Sequence, residues 1–169
     1  MIRLNVGCGD FPLEGWVNVD VRVLPGVGVV ARAEALPFAK GSVSEIYAGH
    51  VLEHLEYPLS ALCHWHALLA PGGVLWVTVP DFEYVATHYH CWTDRVISVY
   101  QAMFGLDDVP EQRHRHAFSP YMLCLLLTLA GFQELERVDD CPYWVADVPW
   151  QICIRAVKPA EQPPRGQDA

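Results

Sequence analysis

Over the first eighty positions the apolar residues fall into short runs, most of which end at a glycine or a carboxylate. Ile2 to Val6 runs straight into Gly7-Cys8-Gly9, so a strand delivers the chain into a glycine turn. Trp16 to Val21, with Val17, Val19 and Val21 around Asp20, predicts a second strand, and Val27 to Ala31 a short third one before the loop Ala35-Leu36-Pro37-Phe38. Val43 to Ala48 and Val74 to Val79 follow as a fourth and a fifth. The fifth is nearly continuous in apolar character, as a strand covered on both faces must be.

The period changes between the fourth and fifth strands. Leu59, Leu62, His66 and Leu69 recur at helical spacing, with Pro58 suited to a first turn and Pro71-Gly72-Gly73 to a stop. Asp81 to about Gly105 also reads as mostly helical. Ser119-Pro120 opens a further helix that runs through a Leu-rich segment to Gly131. Gln133 to Val138 and Gln151 to Val157 close the pattern as strands. Alternation of this kind predicts an α/β fold: a doubly wound, mostly parallel sheet with helices on both faces, whose ligand lies beyond the carboxyl ends of the strands. One domain spans 1–157; the segment 158–169, with Pro159, Pro163, Pro164 and Gly166, predicts a disordered tail.

Composition narrows the function classes. The chain has 169 residues, 52% of them hydrophobic and 18% charged, enough for one core. A formal charge of −9, with only eleven Lys and Arg, argues against nucleic acid as a partner, because a duplex needs a basic stripe. A small-molecule substrate fits better. The opening MIRLNVGCGD predicts a strand rather than a secretory signal, and the most apolar run, Tyr121 to Ala130, is about half the ~20 residues of a membrane span. The six cysteines show no recurring spacing and have mostly apolar neighbours, so they read as reduced, buried thiols of a cytoplasmic protein. Oligomeric state stays open.

Two features carry chemistry. Glycines after the first strand let a ligand approach the backbone, and a carboxylate at Asp20, ending the second strand, can accept hydrogen bonds from both hydroxyls of a ribose. The position where a dinucleotide fingerprint wants its third glycine is Pro12, which weakens a nicotinamide-dependent oxidoreductase reading. Gly7 to Trp16 leaves ten residues for a crossover, so the first helix is expected to shrink to a turn or loop.

LNVGCGD, GWVNVD, EALPFAKGSVSEIYAGHVLEHL, LLAPGGVLWVTVPD and HRHAFSPYMLCLLLTLAGF, in this order and spacing, resemble class I S-adenosylmethionine-dependent methyltransferases, a small type-11-like group whose members often accompany polysaccharide biosynthesis. The resemblance covers about residues 2–138 and implies a Rossmann-like fold with S-adenosylmethionine as cofactor and S-adenosylhomocysteine as product. It puts the methionine part of the cofactor against Gly7, Cys8 and Gly9, with Asn5 in the strand leading to them, and Asp20 on the ribose. Gly49 and His50 match positions at the sulfonium end; His50 reads equally well as a histidine fixing its loop to Glu53. Ala33, Glu34, Ala35 and Leu36 match the adenine-flanking block. Arg32 stands where that block carries Asp, so either Glu34 or backbone groups take over the contact to the adenine amine.

In the resembling fold, the loop carrying Gln112-Arg113-His114-Arg115-His116-Ala117-Phe118 arches over the central strand ends. His114 or His116 is therefore the expected contact to the acceptor, as general base, with Arg113 or Arg115 steering an anionic group and Asp81 orienting the histidine or the acceptor. The acceptor expected is a sugar or glycan-precursor hydroxyl. Glu53-His54 reads chiefly as a pin between helix and loop. His64, His66, His88, His90 and Cys91 lack the paired spacing of a zinc site, and His66 falls on an apolar helix face, so no metal is expected. The alternative to an enzyme is a catalytically silent S-adenosylmethionine-binding or scaffold protein.

Overall fold

The computed structural model describes residues 1–88, 103–105, 112–139, 141, 143 and 150–160. Strands β1 (Ile2–Val6), β2 (Val17–Asp20), β3 (Val29–Val30), β4 (Val43–Gly49), β5 (Leu69–Pro80), β6 (Gln133–Arg137) and β7 (Gln151–Val157) form one sheet. Its order is β3-β2-β1-β4-β5-β7-β6. The first five strands pair in parallel, while β7 runs antiparallel to β5 and β6 antiparallel to β7. The order reverses at β1 and β4, so a crevice opens between the carboxyl ends of these two strands.

Strand periodicity sorts the side chains into two layers. Ile46, Ala48, Leu75, Val77, Val79, Ile152, Ile154 and Ala156 face the main core. On it pack helix α1 (Pro58–Leu68), through Ala61, Leu62, Trp65 and Leu68, and a C-terminal helix, Pro120–Leu129, through Leu123 and Leu127. Of the expected stripe Leu59, Leu62, His66 and Leu69, Leu62 and Leu69 are buried in the core, Leu69 as the first residue of β5. Leu59 is exposed, and the wholly buried Trp65 takes the central place because its Nε1 reaches the Ala33 carbonyl at 2.8 Å. The intervening residues Tyr47, Trp76 and Cys153 point to the other face, where Leu13, Trp16, Cys141 and Tyr143 meet them. Tyr143 stands edge-on to Trp16 at 4.8 Å and donates to Glu45 Oε1 at 2.6 Å.

No helix joins β1 to β2. Two buried amides hold the replacement loop: Asn5 Nδ2 donates to the Phe11 carbonyl (3.0 Å) and to Asn18 Oδ1 (2.9 Å). Asn18 Oδ1 in turn accepts from Leu13 N (2.8 Å), and its Nδ2 donates to the Leu13 carbonyl (3.0 Å). These side chains satisfy backbone groups that a helix would have paired internally.

Several expected boundaries shift. β5 begins at Leu69 rather than Val74, because Leu69 already pairs with Val43 across an irregularity in β4. The helical stretch expected over 81–105 is seen as α2 (Phe82–His88), and residues 89–102, with His90 and Cys91, lie outside the described residues. The C-terminal helix, α3, starts as expected. Ser119 Oγ accepts from Met122 N at 3.3 Å, Pro120 fills the first turn, and Gly131 takes φ +98° after the last one. Lys158, placed in the tail by composition, is anchored, its Nζ donating to the Leu69 carbonyl at 2.7 Å; residues 161–169 lie outside the described residues. No helix of the described residues is long and apolar enough to cross a membrane.

Candidate active site

At the crevice a cavity of about 570 Å³ is lined by the glycine turn, the end of β2, the loop after β3, the turn after β4 and part of the segment 112–115. A pocket of a few hundred Å³ accommodates an adenosyl amino acid. Gly7 and Gly9 both take left-handed φ values, +65° and +51°. A Cβ on Gly7 would collide with Val51 Cγ2, whereas one on Gly9 would meet only Arg22 Nη2 at 3.5 Å. The first glycine is therefore demanded by the fold, and the second keeps ligand space clear.

Asp20 is almost wholly buried. Its Oδ2 accepts from Gly9 N at 2.9 Å, and its Oδ1 from Arg22 N (2.9 Å) and Arg22 Nε (3.1 Å). Burial pushes its pKa up, but these donors outweigh that and hold the carboxyl below the usual range. The carboxylate is thus ionised and fixed beside the glycine backbone. Cys8 is buried in the same turn, where burial and then the Asp20 charge push its thiol pKa up, so it is an inert packing thiol.

The loop after β3 carries Ala33–Ala35 as a single 3₁₀ turn. Arg32 and Glu34 form an ion pair at 3.2 Å, and both line the cavity beside Ala33. Ala35 and Leu36, expected at the cofactor, are not among its lining. Ala35 is exposed, and Leu36 is buried in the core with its N–H donating to His64 Nε2 at 3.1 Å. Asn5 is likewise absent from the lining, because both of its contacts are spent on the loop before β2.

Gly49 and His50 line the cavity from β4. His50 sits at φ +54°, its N–H donating to the Thr78 carbonyl at 2.8 Å. Its ring spans Glu53 Oε1 (Nδ1, 3.1 Å) and Gln151 Oε1 (Nε2, 3.3 Å). Burial opposes the imidazolium, yet the Glu53 carboxylate outweighs it and raises the His50 pKa; Glu53, also opposed by burial, is lowered by the same pairing. The two readings of His50 are therefore compatible, since it both lines the cavity and ties its loop to Glu53.

The His-rich loop is fastened to the turn after β4. Arg115 N and His116 N both donate to the Glu53 carbonyl (2.7 and 3.2 Å), and His54 Nδ1 donates to the Arg113 carbonyl at 3.1 Å. His114 and Arg115 face the cavity, whereas His116 turns away and donates through Nε2 to the Glu56 carbonyl at 3.3 Å. Burial pushes the His114 pKa down. Asp81 does not line the cavity. It caps α2 by accepting from Tyr84 N at 3.1 Å and faces Arg137 at 3.6 Å, so its position at the end of β5 serves the helix start.

Arg22, Val51, His54 and Leu55 also line the cavity and were not expected there. Arg22 lies two residues beyond Asp20 in a turn without periodicity, and the other three follow His50 in a 3₁₀ segment too short to give a helical pattern. Among the discounted histidines, His64 holds Leu36, His66 stands edge-on to Phe132 at 5.0 Å, and His88 stacks on Tyr84 at 4.0 Å.

Such a sheet, with a glycine turn and a buried carboxylate at the reversal of strand order, defines the class I methyltransferase architecture. A methyltransferase-domain family model matches residues 16–77. No curated protein matches. Among solved structures, a Thermotoga maritima S-adenosylmethionine-dependent methyltransferase, described as a possible histamine N-methyltransferase, is similar at TM-score 0.63 and 22% identity, over 93% of this chain and 82% of that one. A Methanosarcina mazei S-adenosylmethionine-dependent methyltransferase gives TM-score 0.59 at 14% identity, over 94% and 92%. The Burkholderia thailandensis 1,6-didemethyltoxoflavin-N1-methyltransferase, solved with its substrate and S-adenosylhomocysteine, gives 0.59 at 19% identity, over 94% and 71%. The family match thus covers the sheet from β2 to β5, and the fold is the Rossmann-like one of these S-adenosylmethionine-dependent methyltransferases.

Proposed function

We propose that the chain is a class I S-adenosylmethionine-dependent methyltransferase that methylates a hydroxyl of a small acceptor, a sugar or glycan precursor, in the cavity between the glycine turn and the 112–115 loop, and that it works in the cytoplasm as one domain over residues 1–157. The observation that carries this reading is the juxtaposition of a cofactor-shaped half, Gly7 to Gly9 with Asp20, and a histidine-lined half, His54 and His114, in one cavity. The first half holds the methionine part and the ribose, with Gly49 and His50 beyond them. Arg32, Ala33 and Glu34 flank the adenine; Glu34 is engaged by Arg32, so backbone groups of the 3₁₀ turn make the contact to the adenine amine.

The cofactor supplies an electrophilic methyl on a sulfonium, and an in-line displacement asks the protein chiefly to align the partners and exclude water. Val51 and Leu55 form a dry wall beside the histidines. His114 meets the acceptor hydroxyl, and Arg115, on the exposed rim, steers an anionic substituent. Nitrogen acceptors, which the names of two of the similar structures imply for those proteins, are the rival class.

The test is a panel of sugar, phenol and amine acceptors with labelled cofactor. His114→Ala should lower hydroxyl methylation about 10²-fold while S-adenosylhomocysteine affinity changes less than about threefold. His116→Ala should leave both nearly unchanged, because that ring is turned onto Glu56. Turnover confined to amines, or undiminished in His114→Ala, would contradict the reading.

A further inference from the structure

Glu53 is completely buried, yet only one of its carboxylate oxygens is accounted for. Oε1 takes the His50 ring, and Oε2 has no hydrogen-bond partner among the described residues. A dry, unpaired carboxylate oxygen is expensive and calls for a cation or donor at that spot. A pair of imidazoles stands near the carboxylate. One carboxylate oxygen of Glu53 and one nitrogen each of His54 and His114 lie within 4.8 Å of one another, and the two rings meet edge to face with centroids 4.8 Å apart.

The surroundings fix these groups as an outer shell fixes ligands. His54 gives its Nδ1 proton to the Arg113 carbonyl, which sets the tautomer and leaves Nε2 with its lone pair. His114 is positioned through its backbone N–H on the Phe104 carbonyl at 3.0 Å, and His50 holds the far side of the Glu53 carboxylate. Two loops about sixty residues apart in sequence are tied together by Arg115 N and His116 N on the Glu53 carbonyl, which keeps His114 beside its partners. Both histidines line the cavity on its acceptor side.

We propose that Glu53, His54 and His114 form a divalent transition-metal site, and that the bound ion takes the acceptor's hydroxyl oxygen as a further ligand, so that His114 acts on the hydroxyl through the ion. The second half rests on the hydroxyl reading above; the first does not. Two imidazoles and one carboxylate select zinc, cobalt, iron or manganese over magnesium or calcium, which prefer all-oxygen shells. Ligand distances of about 2.1 Å bring neighbouring donor atoms to roughly 3.4 Å in a tetrahedral site, so binding draws any two donors together by no more than about 1.4 Å. Three protein ligands leave a position open, as in catalytic rather than structural sites. There the acceptor's O–H bond breaks heterolytically, its proton passing to solvent and the electron pair staying on oxygen. That oxygen forms the new bond to the methyl carbon as the carbon–sulfur bond breaks, and sulfur keeps the pair as a neutral thioether. No oxidant or reductant is involved.

The test uses full-length untagged protein stripped with a chelator and titrated with Co²⁺, followed by visible absorption. One equivalent should produce the bands of a nitrogen–oxygen site, and Zn²⁺ should abolish them. Glu53→Gln and His114→Ala should each weaken Co²⁺ binding at least ~30-fold with S-adenosylhomocysteine binding retained, while His88→Ala, on α2, should bind as the wild type does. Absence of saturable Co²⁺ uptake at millimolar metal, or uptake unaltered in both variants, would overturn the site. Should Glu53→Gln fail to fold, judged by lost S-adenosylhomocysteine binding, His114→Ala decides alone. Metal binding with methylation of amines only would keep the site and remove the hydroxyl reading. Full hydroxyl methylation by stripped protein would remove the ion's role in the reaction.

Discussion

Gly9→Val is expected to remove S-adenosylhomocysteine binding altogether at millimolar ligand, a loss beyond ~10³-fold, while leaving a folded domain. The backbone at Gly9 has φ +51°, and an added Cβ meets no core atom, only the flexible end of Arg22 at 3.5 Å. The valine methyls therefore project into the cavity, into the space proposed for the cofactor's methionine part. A left-handed conformation costs a non-glycine residue about 1–2 kcal/mol, which lowers the melting temperature of a domain this size by only a few degrees. Gly7→Val is the contrasting variant. Its Cβ runs into Val51, so stability and binding should fall together. Calorimetry paired with a thermal melt separates the two cases, and near-normal binding by Gly9→Val would move the cofactor elsewhere.

Asp20→Ala should weaken S-adenosylhomocysteine by about 10²- to 10⁴-fold. The carboxylate accepts from Gly9 N on Oδ2 and from Arg22 N and Arg22 Nε on Oδ1, which leaves one lone pair of Oδ2 for the proposed ribose contact. A hydrogen bond to a charged, buried acceptor contributes about 1.5–3 kcal/mol, and leaving the three protein donors without their acceptor costs a comparable amount, which together give that range. The variant also releases the Gly9 and Arg22 donors, so part of the loss is disorder in the glycine turn. Asp20→Asn preserves the shape, but its NH2 must face either the Gly9 N–H or the two Arg22 donors, so its affinity should lie nearer to that of Asp20→Ala than to that of the wild type. Equal affinity in all three proteins, by calorimetric titration, would contradict the role of Asp20.

Much of this site could be read from local sequence because its determinants are local. A strand ending in Gly7-Cys8-Gly9 and a carboxylate closing the next strand need only a few neighbouring residues to be recognised. The missing first helix was legible too, since the interval from Gly7 to Trp16 is too short for one. The devices that replace it were not, because Asn5 and Asn18 look like ordinary strand residues until β1 and β2 lie side by side. The period of α1 marks the helix and the burial of Leu62, but a pattern with a Trp and two histidines admits more than one rotation; the one adopted leaves Leu59 exposed and Trp65 central. The packing of Trp65 under Ala33 decides between them. Arg32 in place of an acidic residue left the adenine contact undecided, and the ion pair to Glu34 is what only three-dimensional structure supplies.

The acceptor side shows the opposite balance. His114 and the Glu53-His54 pair were each visible, but nothing in the spacing brings residues sixty positions apart into one cluster. The same loop places His114 in the cavity and His116 against Glu56, a distinction that rests on backbone bonds to the Glu53 carbonyl. Asp81 looked well placed at the end of β5, and the start of α2 claims it instead.

Calorimetric titration of the wild-type protein with S-adenosylhomocysteine tests whether the glycine turn and Asp20 form a cofactor site. Saturable binding at one site per chain is the result expected from one cavity at the β1/β4 reversal. No binding at millimolar ligand would contradict it.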